Sequence, residues 1–156
     1  MSLCLRYDVS VFACQAPITW AESNYSADMF DYELCRSCQD YIRDHETDST
    51  TGPNVWLWIE LRSRGVPVEL EKWDGHKTID LAIPDARCNI EVDGRHHQNF
   101  RQAFADLRRM RYSLQKGFVT IRVPNSLISE ARPREMDDII DELILCLEAI
   151  RDRRRS

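Results

Sequence analysis

The sequence predicts a mixed α/β (α+β) domain with the element order α-β-β-β-α-β-α, preceded by an N-terminal accessory segment. Three observations support this fold class. Apolar residues recur at helical spacing in three separate stretches, and four short alternating or β-branched runs lie between them. Turn-forming residues separate those runs. With 156 residues, of which 43% are hydrophobic, the chain is long enough to bury a core of ordinary size.

The accessory segment is predicted at residues 1–52. It shows no clean periodicity and ends in the turn-forming run Asp48-Ser49-Thr50-Thr51-Gly52-Pro53. We therefore place a domain boundary there, and residues 53–156 make the main domain. No apolar run approaches the roughly 20 residues of a membrane span, so no membrane partner is expected. The sequence begins without a secretory signal, which predicts a cytoplasmic location.

The main domain is predicted to begin with a helix and a three-stranded meander. The helix runs from an N-cap at Asn54 to Arg64. Asp74-Gly75 favours a tight hairpin after the first strand, and residues 84–87 supply the turn before the third. The three strands are predicted at 66–73, 78–83 and 88–92.

A helix, a strand and a closing helix complete the predicted order. Apolar residues keep helical spacing over residues 99–116, and Gly117 is placed to end that helix. Residues 118–123 form a β-branched run that is typical of a buried strand. Over residues 133–151 a periodic apolar face, acids early and arginines late predict the closing helix.

The charge of the chain is unevenly distributed. The net charge is −5, from 21 basic and 26 acidic residues, which taken alone argues mildly against a nucleic-acid partner. Residues 1–52 hold three bases and nine acids, whereas residues 95–122 hold seven bases and one acid. This basic stretch is a candidate surface for nucleic-acid phosphates, with a solvated helix face as the plainer alternative. The candidate side chains are Arg95, Arg101, Arg108, Arg109 and Lys116, the helical ones pointing away from the apolar face.

The densest group of chemically active side chains lies on the second and third predicted strands. Asp80 can lie opposite Glu91 across the turn, and Glu91 and Asp93 point to the same side of the sheet because they are two residues apart. Like charges placed this way repel, so a cation is expected to neutralise them. Oxygen ligands favour Mg²⁺ or Mn²⁺ over zinc. Exposed acids at strand ends are the structural alternative.

A longer pattern surrounds these acids. It contains a helix glutamate, Ile-Asp, Ile-Glu-Val-Asp-Gly with a following histidine, Asp-x-x-Arg on a helix, and Gly-Phe-Val-Thr-Ile-Arg. This order resembles the very-short-patch-repair-like branch of the PD-(D/E)XK nuclease superfamily. The resemblance implies a restriction-endonuclease-like core and metal-dependent hydrolysis of phosphodiester bonds in DNA. The matching positions are Glu60, Asp80, Glu91, Asp93, His97, Asp106, Arg109, Gly117 and Arg122.

The resemblance also implies roles for individual residues. Asp80 and Glu91 match the ligands of Mg²⁺ or Mn²⁺, and Glu60 matches a third acid. The superfamily's usual lysine, two residues after the strand-three acid, is replaced by Asp93. In the resembling branch a histidine is associated with the site, so His97 is the expected substitute. Histidine exchanges a proton near neutral pH, which suits water activation.

The accessory segment carries a second candidate metal site. Cys35 and Cys38 have the C-x-x-C spacing of a zinc knuckle. The second half of such a site would have to come from Cys4, Cys14 or His45, at irregular separations. Structural Zn²⁺ and free core thiols are the two alternatives for this pair.

We therefore expect a Mg²⁺-dependent DNA endonuclease. The alternative is a catalytically inactive nuclease-like domain that binds nucleic acid or a protein partner, which the missing lysine favours. Lys72 or Lys77 of the hairpin could instead replace that lysine. A third possibility is a zinc-knuckle interaction module with a nuclease-like scaffold. The sequence leaves open the preference for DNA over RNA and the oligomeric state, a homodimer included.

Overall fold

A computed structural model describes residues 2–3, 16–30, 33–48, 50–94 and 100–156. The fold is mixed α+β, which confirms the predicted fold class at that level. The chain forms two compact units, Met1–Leu81 and Ala82–Ser156. The predicted domain boundary after residue 52 stays a prediction. In the described ranges, none of the helices has the length and apolar character that crossing a membrane requires.

The first unit opens with elements that the sequence did not predict. Strand β1 (Ser2–Leu3) pairs antiparallel with β2 (Pro17–Ile18). Two helices follow, α1 (Trp20–Phe30) and α2 (Arg36–His45). A capping box starts α1: the Thr19 N–H and hydroxyl donate to Glu22 Oε2 at 2.8 and 2.9 Å, and the Glu22 N–H returns a bond to Thr19 Oγ1.

The next helix, α3 (Gly52–Ser63), begins three residues earlier than predicted. The predicted N-cap, Asn54, is wrong: Thr51 is the N-cap, and a proline follows in the first turn, where its missing N–H costs no hydrogen bond. Asn54 is instead buried. Its Nδ2 donates to Glu71 Oε1 at 3.1 Å, so this side chain ties α3 to the following strand.

Four strands form one mixed sheet in the order β3-β4-β5-β6. The first begins three residues later than predicted, because the Val66 N–H bonds back to Leu61 O at the helix end. Both predicted turns are present: the Asp74 N–H donates to Lys77 O, and the Arg87 N–H donates to Pro84 O. The strands are β3 (Glu69–Trp73), β4 (Thr78–Ile83), β5 (Cys88–Asp93) and β6 (Val119–Pro124).

The second unit adds three helices to β5 and β6. Helix α4 (Phe100–Gln115) ends as predicted: Gly117 has a φ of +79° and the Phe118 N–H bonds to Ser113 O at 2.9 Å. A short helix, α5 (Asn125–Ser129), was not predicted. The closing helix α6 (Pro133–Arg155) runs four residues beyond its predicted end. Strands β5 and β6 are parallel, which places Glu91 opposite Arg122.

Candidate functional site

The first unit holds Glu60 and Asp80, two of the predicted catalytic acids. Glu60 lies near the end of α3, and its Oε2 is 2.5 Å from Nη1 of Arg64, one helical turn later. Asp80 is partly buried in β4, between the buried side chains of Ile79 and Leu81. Arg64 thus already neutralises the acid predicted to be the third of the set.

The second unit holds Glu91 and Asp93, both partly buried on β5. The parallel register brings Arg122 of β6 beside them. Its Nη1 donates to both carboxylate oxygens of Asp93, at 3.0 and 2.9 Å. Partial burial opposes the charged guanidinium, but the hydrogen bond and charge of Asp93, with the charges of Asp106 and Glu91, outweigh it and raise the pKa of Arg122.

Arg122 is one of the matching positions, and the resemblance implies no role for it. In the structure it pairs with Asp93, and the charges of Asp106 and Glu91 also favour its charged form. The available signal was a charged residue within the β-branched run of β6, since arginine in a partly buried strand is rarely left without an acid. Asp106 on α4 has a second partner, Arg109, at 3.0 Å, as the Asp-x-x-Arg spacing favoured.

Helix α4 exposes the predicted phosphate-binding cations. Arg101, Arg108, Arg109 and Lys116 are all exposed. One detail of the prediction is wrong, because Arg108 does not point away from the apolar face: its guanidinium lies 4.8 Å from the centre of the Phe104 ring. This contact leaves the charge at the surface while the ring shields one side of it.

The apolar side chains of α4 are also exposed. Phe100 is 81% exposed and Leu107 is 59% exposed, and the rings of Phe100 and Phe104 stack on each other. A shallow groove of about 580 Å³ runs along this face. Its lining includes Arg111 as well as apolar residues, so the helix presents apolar surface and positive charge together. The groove is lined by Phe104, Leu107, Arg108, Met110, Arg111 and Leu114.

Several predicted site residues lie outside the described residues. Arg95 and His97 belong to this group, and so do Cys4 and Cys14 of the candidate zinc site. Cys35 and Cys38 are described: both thiols are buried, with their sulfur atoms 3.3 Å apart. In the part of the chain that the structure describes, no group of three or more histidine, cysteine and acidic side chains is arranged to hold one metal ion.

The resemblance implies Mg²⁺ or Mn²⁺, ions that prefer oxygen ligands such as the carboxylates of the described acids. Glu60 and Asp93 each have an arginine partner. Asp80 and Glu91 fit the ion in donor chemistry, because each offers carboxylate oxygens from a partly buried strand position. Asp80 belongs to the first unit and Glu91 to the second.

The chain matches no protein-family model, no curated protein and no solved structure.

Proposed function

We propose that the protein is a metal-dependent endonuclease that hydrolyses phosphodiester bonds in DNA, with Asp80 and Glu91 as the metal ligands. The observation that carries the proposal is that partly buried carboxylates occupy consecutive strands. Asp80 lies in β4 and Glu91 in β5, and both residues are partly buried. Carboxylate oxygens are the donors that Mg²⁺ and Mn²⁺ prefer.

Hydrolysis of a phosphodiester needs an activated water and positive charge near the phosphoryl oxygens. A bound Mg²⁺ or Mn²⁺ supplies that charge and makes water more acidic. His97 is proposed to accept a proton from the attacking water, since histidine exchanges protons near neutral pH. Glu60, which pairs with Arg64, is proposed to orient that water.

Asp93 takes a positioning role in this proposal. Its two oxygens both accept from Arg122, so the pair fixes the end of β5 relative to β6. Glu91 lies two residues earlier on the same strand and opposite Arg122. A fixed strand end restricts the conformations of Glu91, which favours a preformed ligand.

The cations of α4 are proposed to bind the DNA backbone. Exposed guanidinium and ammonium groups bind phosphates without selecting a base sequence. Arg101, Arg108 and Lys116 are exposed, and Arg109 is exposed but shares its charge with Asp106. Arg95 belongs to the same proposal and lies outside the described residues.

The test is nicking of supercoiled plasmid with Mg²⁺ or Mn²⁺. The wild-type protein is expected to nick, and Asp80→Asn and Glu91→Gln are each expected to lower the rate by at least about a hundredfold. Asp141→Asn, which changes an exposed acid of α6, is the matched control and keeps the wild-type rate. Equal nicking by wild type and Asp80→Asn would overturn the proposal, because nicking would then come from a contaminant.

A second candidate function is a non-catalytic module that binds nucleic acid or a protein partner. The observation that favours it is the pairing of Glu60 and Asp93 with arginines, which is how a scaffold neutralises acids without a metal. The exposed apolar face of α4 adds a surface suited to a partner. Binding of DNA that weakens with salt, without nicking at any metal concentration, would select this function.

A further inference from the structure

Cys35 and Cys38 place two sulfur atoms side by side at the start of α2. The Sγ atoms are 3.3 Å apart, and the two side chains are 4% and 0% exposed. If both sulfur atoms bound one zinc ion at about 2.3 Å, this separation would give a sulfur–zinc–sulfur angle of about 92°. The angle in an ideal tetrahedron is about 109°. Moving the two sulfur atoms apart by a few tenths of an ångström would give the tetrahedral angle.

The backbone that carries Cys35 is held by two buried polar side chains. Ser26 Oγ accepts from the Leu34 N–H at 2.8 Å, and Gln39 Nε2 donates to Leu34 O at 2.7 Å. Ser26 and Gln39 are both buried. Hydrogen bonds on both sides of Leu34 fix the direction from which Cys35 enters the helix. The pair is therefore preorganised, as a binding site for a small ion requires.

The start of α2 also favours the charged form of the thiols. The Cys35 carbonyl accepts from the N–H groups of Cys38 and Gln39, both at 3.0 Å, so the two cysteines lie within the first turn. The positive end of the helix dipole stabilises thiolates there. This offsets part of the cost of burying negative charge, and a divalent cation would offset the rest.

We propose that Cys35 and Cys38 are two thiolate ligands of a structural zinc ion bound at the start of α2. Binding replaces two thiol protons by one Zn²⁺, so two protons are released. Two thiolates are half of a tetrahedral set, and no third cysteine, histidine or acid joins them among the described residues. The proposal is independent of the nuclease function.

The experiment uses the full-length protein, purified without chelator. Elemental analysis is expected to find about one zinc per chain, and Co²⁺ exchanged into the site is expected to give thiolate-to-cobalt charge-transfer absorption, whose intensity counts the thiolates. Cys35→Ser and Cys38→Ser are each expected to lower zinc occupancy below about a tenth. Cys146→Ser, at a partly buried thiol of α6, is the matched control and keeps the zinc.

Equal zinc content in the wild type and in the Cys35→Ser/Cys38→Ser double variant would overturn the proposal. So would a disulfide between Cys35 and Cys38, located by mass spectrometry of peptides from the unreduced wild type. If the variants do not fold, a chelator is added to the wild type: the thermal midpoint must fall and then recover when zinc is restored, and an unchanged midpoint refutes the site. None of these outcomes alters plasmid nicking by Asp80→Asn.

Discussion

Arg122 holds both carboxylate oxygens of Asp93 from a single guanidinium nitrogen, at 3.0 and 2.9 Å. The two residues are 29 positions apart and meet because β5 and β6 run parallel. The wider nuclease superfamily usually has a lysine at the position that corresponds to Asp93, where this chain has an acid paired with an arginine. The positive charge near the end of β5 therefore comes from the neighbouring strand.

The first prediction concerns this ion pair. We expect the double-mutant cycle of Asp93→Asn and Arg122→Gln to give a coupling energy of about 0.5 kcal/mol in urea unfolding. The value is modest because the Asp93 side chain is 38% exposed, and it should fall as salt is added. Asp93→Asn should also nick plasmid faster than Asp80→Asn. A coupling energy of zero at low salt would contradict the pair's role in fixing β5.

The second prediction concerns Asn54, a residue that acts in tertiary structure rather than as a helix cap. Its Nδ2 donates to the buried Glu71, and its Oδ1 accepts from the Thr51 hydroxyl at 3.0 Å. Asn54→Ala leaves a buried carboxylate without this donor, so we expect the free energy of unfolding to fall by about 2 kcal/mol. It is measured by urea denaturation.

Thr51→Ala is the control for Asn54, because it removes the neighbouring hydroxyl and leaves the contact with Glu71 in place. We expect it to lower the free energy of unfolding by about 1 kcal/mol, because it removes one neutral hydrogen bond, and the Thr51 hydroxyl makes no capping bond to the helix. If Asn54→Ala destabilised the protein no more than Thr51→Ala, the hydrogen bond between Asn54 and Glu71 would make no measurable contribution to stability.

The third prediction tests the outward orientation of the apolar face of α4. Leu107→Ala should change the free energy of unfolding by less than about 0.5 kcal/mol, because Leu107 is 59% exposed. Leu147→Ala, the same substitution at a fully buried position of α6, should cost about 3 kcal/mol. Thermal or urea unfolding measures both. Similar large losses for the two variants would show that the α4 face is buried.

How much of the fold follows from the sequence depends on how local each signal is. The Asp74-Gly75 turn and the helix end at Gly117 were predicted because a few neighbouring residues determine them. Helix α1 was missed because its large apolar side chains, Trp20 and Met29 among them, are exposed and follow no buried stripe. The capping box of Thr19 and Glu22 was the signal that could have located it.

In the candidate site too, the features that depend on neighbouring residues could be predicted, and those that depend on residues far apart in the chain could not. The two-residue spacing places Glu91 and Asp93 on one side of β5 by strand geometry alone. Their partner Arg122 depends on the register of a parallel strand reached only after α4, which no local pattern encodes. The orientation of α4 depends on the same tertiary contacts, so its exposed apolar face was not foreseen.

The fourth prediction addresses the proposed DNA surface. Arg108→Gln should weaken binding to a DNA duplex and reduce the slope of log affinity against log salt by about 0.9, the contribution of one phosphate contact. Arg134→Gln, at an exposed arginine in the first turn of α6, is the control and should leave the slope unchanged. Fluorescence anisotropy over a salt series measures both slopes. Equal slopes for the two variants would exclude Arg108 from the DNA surface.

The fifth prediction uses the buried thiol of Cys88. Burial in β5, with a smaller contribution from Cys146, raises its pKa from 9.0 to about 12. The thiol of the unfolded chain ionises at lower pH than the thiol of the folded protein. Its contribution to the free energy of unfolding is therefore fully present below about pH 9 and is lost as the pH rises toward 12. We expect the free energy of unfolding to fall by about 2 kcal/mol by pH 10.5. Urea unfolding at several pH values should show this loss in the wild type and in Cys146→Ala, but not in Cys88→Ala. An unchanged alkaline loss in Cys88→Ala would assign it to another group.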